Sequence, residues 1–161
     1  MEEGETTLVV QFDMDGHQFG LAASDVLEIL RAATPSPLPG APAVVTGILN
    51  VRGQLVPVYD IRARFRLNPR PMRSTDHLVV LDAGRTVAIV VEQVHALVAV
   101  PKADISAARD LPASSEGVEG VARLPDGMVV IFDLRSFLAE AEAAELDAAL
   151  ERGVPPRETA A

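Results

Sequence analysis

Apolar and polar positions alternate with a period of two along most of the chain, in short runs rich in Val, Ile and Leu. Such alternation is typical of strands that bury one face, and turn residues bound each run. Eight segments have this pattern: 8–12, 18–21, 48–51, 55–59, 77–81, 86–91, 96–100 and 128–132. The pattern predicts an all-β fold of many short strands, either barrels or a sandwich.

Three of the connections have explicit turn chemistry. The pair DG at 15–16 suits a two-residue hairpin turn, and DAG at 82–84 suits a three-residue loop with glycine in the left-handed region. The triplet PDG at 125–127 precedes the last predicted strand. The DG turn predicts a hairpin between the strands on either side of it.

Two other segments are less regular. SDVLEILR, residues 24–31, is compatible with a helix capped by Ser24 or with a strand that carries Val26, Glu28 and Leu30 on one face. TPSPLPGAP, residues 34–42, has four prolines in nine positions and predicts an extended connection.

The end of the chain has a different pattern. In DLRSFLAEAEAAELDAALERG, residues 133–153, Leu134, Phe137, Leu138 and Ala141 recur at helical spacing, followed by further apolar positions. Gly153 is a suitable C-terminal stop. We expect the domain to end near residue 138, a helix to occupy 139–152, and residues 1–6 and 153–161 to be tails, the second of them disordered.

Composition excludes several classes of protein. The 161 residues suit one domain, and the absence of cysteine excludes disulfides, thiolate zinc sites and cysteine nucleophiles. The acidic start and the lack of an apolar run near roughly 18 residues predict a cytoplasmic protein with no direct membrane insertion. A formal charge of -9 argues against a nucleic-acid partner.

One basic cluster departs from this acidic balance. No acid lies between residues 61 and 75, a stretch that contains five arginines: Arg62, Arg64, Arg66, Arg70 and Arg73. The cluster is compatible with a solvated loop face or with a surface that docks an acidic protein.

We found no constellation that would support catalysis or bind a metal or cofactor. His17, His77 and His95 are isolated from one another and from metal-ligand spacings. Asp60 and Glu92 are the only acids beside core-like strands away from turns, and each has a structural explanation: Asp60 caps a helical turn and Glu92 ends a strand. The sequence therefore predicts a protein that is not an enzyme.

The most informative segment is GILNVRGQLVPVYDIRARF, residues 47–65. Its apolar runs predict two strands joined through RGQ, with Gly53 supplying a positive φ. Pro57 predicts an edge strand or a bulge because it has no N–H for a ladder. From these residues alone, Asn50 would bond to local backbone and Arg52 would lie in solvent.

This segment closely resembles the signature of the CheW family, the coupling proteins of bacterial chemosensory arrays. Seven positions match it: Gly47, Asn50, Arg52, Gly53, Pro57, Asp60 and Arg62. FDMDGHQFGLAASDVLEI resembles the family's opening hairpin, and TVAIVVEQV resembles a later strand, so that the resemblance covers roughly residues 7–138. Glu92-Gln93 departs from the small turn that many relatives have there, and the acidic C-terminal helix is longer than a minimal coupling protein requires.

The resemblance implies two packed five-stranded β-barrels. We place the first barrel near residues 15–70 and the second near 7–14 plus 74–137. It also implies that SDVLEILR is a short helical turn leading into a strand.

The resemblance further implies a non-catalytic adaptor that binds the cytoplasmic tip of methyl-accepting chemoreceptors and the regulatory domain of the histidine kinase CheA. Such an adaptor is cytoplasmic and joins membrane-associated arrays through its partners. The resemblance places five residues on or near the receptor contact: Val26, Glu28, Gly47, Arg52 and Leu97. The hairpin turns of the first barrel would face the kinase.

Glu28 and Arg52 form a pair that geometry can test. If the strand with Glu28 lies beside the hairpin, a bidentate bridge would orient the turn. Two alternatives remain open: a detached copy of the kinase's regulatory domain, against which the start at Met1 and the added helix argue, and a small ligand-binding β-barrel or enzyme, which would need a polar pocket.

Overall fold

The structure, a computed structural model, describes residues 5–107, 118–125, 127–136 and 140–153, and its strands form two sheets. In chain order the strands are β1 (Thr6–Met14), β2 (His17–Ala22), β3 (Val26–Arg31), β4 (Val45–Val51), β5 (Gln54–Tyr59), β6 (His77–Asp82), β7 (Thr86–Val91), β8 (Gln93–Pro101), β9 (Ile105–Ala107), β10 (Val118–Leu124) and β11 (Gly127–Phe132). One sheet has six strands in the order β8-β1-β2-β11-β10-β9, and the other has five in the order β3-β6-β7-β5-β4.

The chain passes between the sheets twice. It leaves the six-stranded sheet through a 3-10 turn, Ala23–Asp25, builds β3 to β7, and returns at Glu92, the single residue between β7 and β8. This path differs from the barrel ranges expected from the sequence, which separated β1 from β2 and β5 from β7. A two-residue turn keeps β1 and β2 paired in one sheet, and β5 pairs with β7 in parallel.

All eight predicted strands lie within observed strands, but β9 and β10 were not predicted. β9 has only three residues, and β10 contains Gly120. A Cβ at Gly120 would lie 2.5 Å from the carbonyl oxygen of Ser106. This glycine therefore permits close pairing of β9 with β10, and the need for it was invisible before the strands were placed.

The predicted turns are confirmed where the structure describes them. Asp15 and Gly16 both have positive φ, 55° and 79°, as a type I′ hairpin turn requires. Gly84 has φ 88° in the loop between β6 and β7, where its N–H donates to Asp82 at 3.0 Å. Gly127 also has a positive φ, whereas Asp126 lies outside the described residues.

The prediction of an edge strand or bulge at Pro57 is wrong. β5 lies between β4 and β7, and the register of β4 with β5 shifts elsewhere, between Val45 and Gly47. Pro57 is tolerated because its partner Ile48 directs both backbone hydrogen bonds away from β5, toward Ser36. On the other side, pairing with β7 begins only at Val58.

Alternation along the strands produces three apolar clusters. One lies between the sheets and contains Phe12, Leu21, Val79, Leu81 and Ile89 among others. The other two line the concave interiors of the six-stranded and five-stranded sheets. β6 and β7 are buried on both faces, which explains their nearly continuous apolar sequences.

Four of the five phenylalanines meet in the cluster between the sheets. Phe65, at the end of the 47–65 segment, stacks on Phe19 with ring centroids 5.5 Å apart and meets Phe132 edge-on at the same distance. Phe12 completes the group. The end of this segment is therefore anchored in the shared core.

The described residues include two α-helices, α1 (Ile61–Arg64) and α2 (Glu140–Gly153). The region predicted as one long helix begins instead with a 3-10 turn, Leu134–Ser136. Residues 137–139 and the predicted tail at 154–161 lie outside the described residues, and the tail predicted at 1–6 overlaps the start of β1. Within the described parts of the chain, neither helix has the length and hydrophobicity needed to cross a membrane.

α2 packs against the core through Leu146 and Ala149, which are completely buried. Asp147 on the same helix accepts a hydrogen bond from Arg85 at 2.5 Å. Apolar contacts and a surface ion pair therefore join the helix to the body of the domain.

Candidate functional site

The turn between β4 and β5 places two residues of the signature segment in the left-handed region. Arg52 has φ 53° and Gly53 has φ 84°, again as in a type I′ turn. The side-chain oxygen of Asn50 accepts the Gly53 N–H at 2.7 Å. The local role expected for Asn50 is therefore confirmed, but the positive φ of Arg52 was not foreseen, since arginine is uncommon there.

Arg52 reaches across to β3 and forms the predicted bidentate pair with Glu28. Both terminal nitrogens of its guanidinium donate to the Glu28 carboxylate, Nη2 at 2.8 Å from Oε1. The hydrogen bonds from Arg52 hold the pKa of Glu28 below its ordinary value, and the same contact raises the pKa of Arg52. Since 71% of the Arg52 side chain stays exposed, the pair lies on the surface.

β3 does not present Val26, Glu28 and Leu30 on one face, because a register shift falls between Val26 and Glu28. Val26 pairs with Leu81 and packs in the cluster between the sheets, whereas Leu30 pairs with Leu78 inside the five-stranded sheet. This bulge turns the start of β3 toward the other sheet.

Four large apolar side chains on β1, β3 and β8 stay exposed. Leu27 is 56% exposed and Ile29 is 42% exposed on β3; Leu8 on β1 is 50% exposed and Leu97 on β8 is 60% exposed. Ile29 pairs with Val79, a residue of the cluster between the sheets, so both face the same way.

Leu8 and Leu97 belong to the six-stranded sheet. They lie on the face of β1 and β8 that also carries Val10, which pairs with the buried Leu21 of the cluster between the sheets. β1 also contacts the 3-10 turn that leads into β3. We call the surface formed by Leu8, Val26, Leu27, Ile29 and Leu97 the intersheet groove.

Gly47 does not contribute a side chain to this groove, because it is buried beneath the proline-rich segment. A Cβ there would lie 2.2 Å from the Ser36 carbonyl oxygen. Ser36 exchanges two backbone hydrogen bonds of 2.8 Å with Ile48. The glycine is needed for the 34–42 segment to lie against the outer edge of β4.

The second half of the signature has a structural role of a different kind. Asp60 caps α1, as predicted, by accepting the Ala63 N–H at 3.2 Å. The Arg62 side chain is only 11% exposed, and it donates to the Asn68 carbonyl at 3.0 Å and to the Glu92 carboxylate. The prediction that Arg62 belongs to a solvated or docking face is therefore wrong, and the same holds for Arg70.

Arg70 is held by Asp76, whose side chain is 2% exposed. Two hydrogen bonds of 2.8 and 3.0 Å join their side chains, and the Arg73 N–H also donates to Asp76 at 2.8 Å. Burial raises the pKa of Asp76, but these donors outweigh it, so that the pKa lies below its ordinary value.

Glu92 connects these charges to the other sheet. Its carboxylate accepts the Asp15 N–H at 2.9 Å and lies 3.6 Å from Arg70, in addition to its bond with Arg62. Burial raises the pKa of Glu92, but the Asp15 N–H and the two guanidinium groups outweigh it, so that the pKa lies below its ordinary value. We call Arg62, Arg70, Asp76 and Glu92 the junction cluster.

Asp76 was not among the predicted site residues, and Glu92 was expected only to end a strand. Their positions in the sequence could have identified them. Each is a single acid beside a run of apolar residues, Asp76 in STDHLVVL and Glu92 in TVAIVVEQV. An acid in such a place needs a cation once it is buried. No group of three or more potential metal ligands occurs in the described parts of the chain.

Comparison with known proteins gives one consistent result. The family model for the CheW-like domain matches residues 8–142. Chemotaxis protein CheW of Treponema pallidum is 24% identical over 145 residues, 86% of this chain and 85% of that protein. Chemotaxis protein CheW of Rhizobium meliloti is 26% identical over 137 residues, 83% and 88% of the two chains.

Among solved structures, the scaffolding protein TtCheW from Thermoanaerobacter tengcongensis superimposes with a TM-score of 0.78 at 24% identity. The match covers 86% of this chain and 96% of that one. The two sheets described above thus correspond to the two barrel-like subdomains of that fold.

Proposed function

Because this chain belongs to the CheW-like family, we propose that it is a non-catalytic chemotaxis adaptor that couples methyl-accepting chemoreceptors to the histidine kinase CheA. The family match over residues 8–142 includes both sheets and the whole 47–65 segment. The scaffold role follows from the family, whereas the surfaces that bind each partner are inferred from the geometry of this chain. Through these partners the protein would join membrane-associated arrays in the cytoplasm.

The observation that carries the receptor site is the intersheet groove. Six large apolar residues among those described are markedly exposed, and four of them lie in this groove: Leu8, Leu27, Ile29 and Leu97. A contiguous apolar surface of this kind marks an interaction site, and a groove between two sheets suits the apolar face of a helix. The receptor tip, a helical hairpin, fits such a surface.

Glu28 lies between Leu27 and Ile29 along β3, but it pairs with Val80 on the other face of the strand. We infer that the Glu28–Arg52 pair borders the groove from that face, where it would orient polar contacts. We infer that Val26, which packs against the cluster between the sheets, lines the base of the groove, and that Leu97 lines its other wall. Gly47 would support the site from below by seating the proline-rich segment. We therefore propose the same five residues for receptor binding, with Gly47 acting indirectly.

The kinase would use a separate surface, since one adaptor must hold two partners at once. The Asp15-Gly16 turn lies at the opposite end of β1 from Leu8, seven residues or roughly 23 Å along the strand. Of the hairpin turns expected to face the kinase, this one lies away from the groove. We propose it as part of the contact with the CheA regulatory domain.

Co-sedimentation tests the proposal. Purified protein is mixed with receptor signalling fragments and CheA, and kinase autophosphorylation is measured with increasing adaptor. We expect a stable ternary complex and activation that saturates near one adaptor per kinase subunit. Failure to associate with either partner would exclude the adaptor function.

The alternative of a ligand-binding barrel or enzyme receives no support from the described interiors. The six-stranded sheet is filled by Val9, Val100, Ala122, Val129 and Ile131, and the five-stranded sheet by similar aliphatic residues. Small barrels whose interiors are filled by side chains have no room for a ligand.

A further inference from the structure

Glu92 is the residue at which the chain returns to the six-stranded sheet, and the groups that contact it come from both sheets. Its N–H donates to the Asp13 carbonyl at 3.1 Å, and its carboxylate accepts from the Asp15 N–H. Both partners belong to the hairpin of the six-stranded sheet. The carboxylate also binds Arg62 of α1, which directly follows β5 of the five-stranded sheet.

The cluster is anchored a second time through Arg70. This side chain lies in the connection between α1 and β6, and Asp76, at the end of that connection, holds it with two hydrogen bonds. Its Nη2 also lies 3.6 Å from Glu92. Two arginines from the connection between β5 and β6, and a backbone N–H from the turn between β1 and β2, therefore converge on one carboxylate.

The other crossing, where the chain leaves the six-stranded sheet through the 3-10 turn Ala23–Asp25, has a simpler arrangement. Asp25, in the 3-10 turn before β3, accepts two hydrogen bonds of 3.0 Å from Arg135, which follows β11. That pair is more exposed: 51% of the Arg135 side chain is accessible, against 11% for Arg62 and 15% for Arg70. Both crossings are thus fixed by ion pairs, and the return crossing is the better enclosed.

We propose that the junction cluster sets the angle between the two sheets and thereby the width of the intersheet groove. On this view, which rests on the proposed adaptor function, Glu92 and Arg62 are positioning residues for receptor binding. Neither of them lies in the groove.

A small change of angle at Glu92 would move Leu97 substantially, because Leu97 lies far along β8. Leu97 lies five residues beyond Glu92, about 16 Å along an extended strand. A change of roughly 10° in the direction of β8 at this junction would move Leu97 by about 3 Å relative to β3. A displacement of that size is enough to disturb the packing of a helix between the two walls.

Spin-label distance measurements test the angle directly. The chain has no cysteine, so a pair introduced by Ala96→Cys on β8 and Gln54→Cys on β5 is labelled specifically. Both positions are exposed and lie outside the groove. The distance distribution is compared between this reference, Glu92→Gln, the milder Arg62→Lys, and the control Glu145→Gln, an exposed position on α2.

We expect Glu92→Gln to broaden the distribution or shift its mean by about 2–3 Å, Arg62→Lys to do so less, and Glu145→Gln to leave it unchanged. If Glu92→Gln does not fold, Arg62→Lys provides the test. An unchanged distribution in a folded junction variant overturns the proposal.

Receptor binding by the unlabelled variants completes the test. We expect affinity for the receptor fragment to fall at least fivefold in Glu92→Gln, with a smaller loss in Arg62→Lys. A shifted distance with unchanged affinity would contradict the claim that the angle governs binding. Failure of the adaptor function itself is recognised separately, because the unmodified chain would then bind no receptor at all.

Discussion

Arg52 and Arg62 lie ten positions apart in one segment, and each binds a glutamate, yet their surroundings differ. The Arg52 side chain is 71% exposed and Arg62 is 11% exposed, while the two glutamates, Glu28 and Glu92, are 26% and 29% exposed. An exposed pair contributes little to stability because water screens it, whereas removing one member of an enclosed pair leaves an unsatisfied charge. The same chemistry therefore orients a surface in one place and joins two sheets in the other.

The largest effect is expected at Asp76, the most buried acid of the junction cluster. Asp76→Ala should lower the free energy of unfolding by about 3 kcal/mol, because Arg70 would remain enclosed without its carboxylate. Urea unfolding followed by circular dichroism measures this, since the chain has no tryptophan.

Asp147→Ala is the matched control, since it breaks a surface pair with Arg85. It should cost less than about 1 kcal/mol. Equal losses for the two variants would contradict the distinction between enclosed and exposed pairs.

A second substitution tests the support beneath the exposed pair. Gly47→Ala should destabilise the fold by about 1–3 kcal/mol, because its Cβ would collide with the Ser36 carbonyl and backbone would have to move. The neighbouring exposed residue provides the control: Thr46→Ala should change stability by no more than about 0.5 kcal/mol. Tolerance of alanine at Gly47 would show that the proline-rich segment is not seated as described.

Acid should weaken the junction cluster. In the folded protein the pKa values of Asp76 and Glu92 lie below their ordinary values of 3.8 and 4.5. In acid, the unfolded chain therefore binds protons more readily than the folded protein does. Their contribution is complete above about pH 4.5 and is lost as the pH falls through the lower values of the folded state. Unfolding free energies at several pH values should therefore decline less steeply in acid for Glu92→Gln than for the parent, and parallel curves would refute this.

The smallest effect on stability is expected at Arg52. Arg52→Ala should leave the melting temperature nearly unchanged but weaken binding of the receptor fragment by roughly tenfold, as loss of an interface arginine commonly does. Arg66→Ala is a close control, because Arg66 is also exposed and also has a positive φ, 59°, but lies outside the groove. Equal binding losses in both variants would remove Arg52 from the receptor site.

Local features of the site were predictable to a large extent. The glycine turn, the Asn50 bond and the Asp60 cap each depend on groups within three residues of one another. The Glu28–Arg52 pair was predictable only through the resemblance to the family, since its members are 24 residues apart. The surroundings of Arg62 were not predictable, because its partner comes from a strand end 30 residues away.

By itself, the sequence determined the strands with alternating apolar residues, the turns that need positive φ and the start of α1, because these depend on nearest neighbours along the chain. Only the tertiary structure decided that β2 pairs in the sheet of β11, that a bulge divides Val26 from Glu28, and that Gly47 lies beneath Ser36. It also decided that Glu92 connects the two sheets. These features arise from contacts between segments that are distant in the sequence. A charged residue becomes buried only when those segments pack together, so the sequence alone does not show which ion pairs are enclosed.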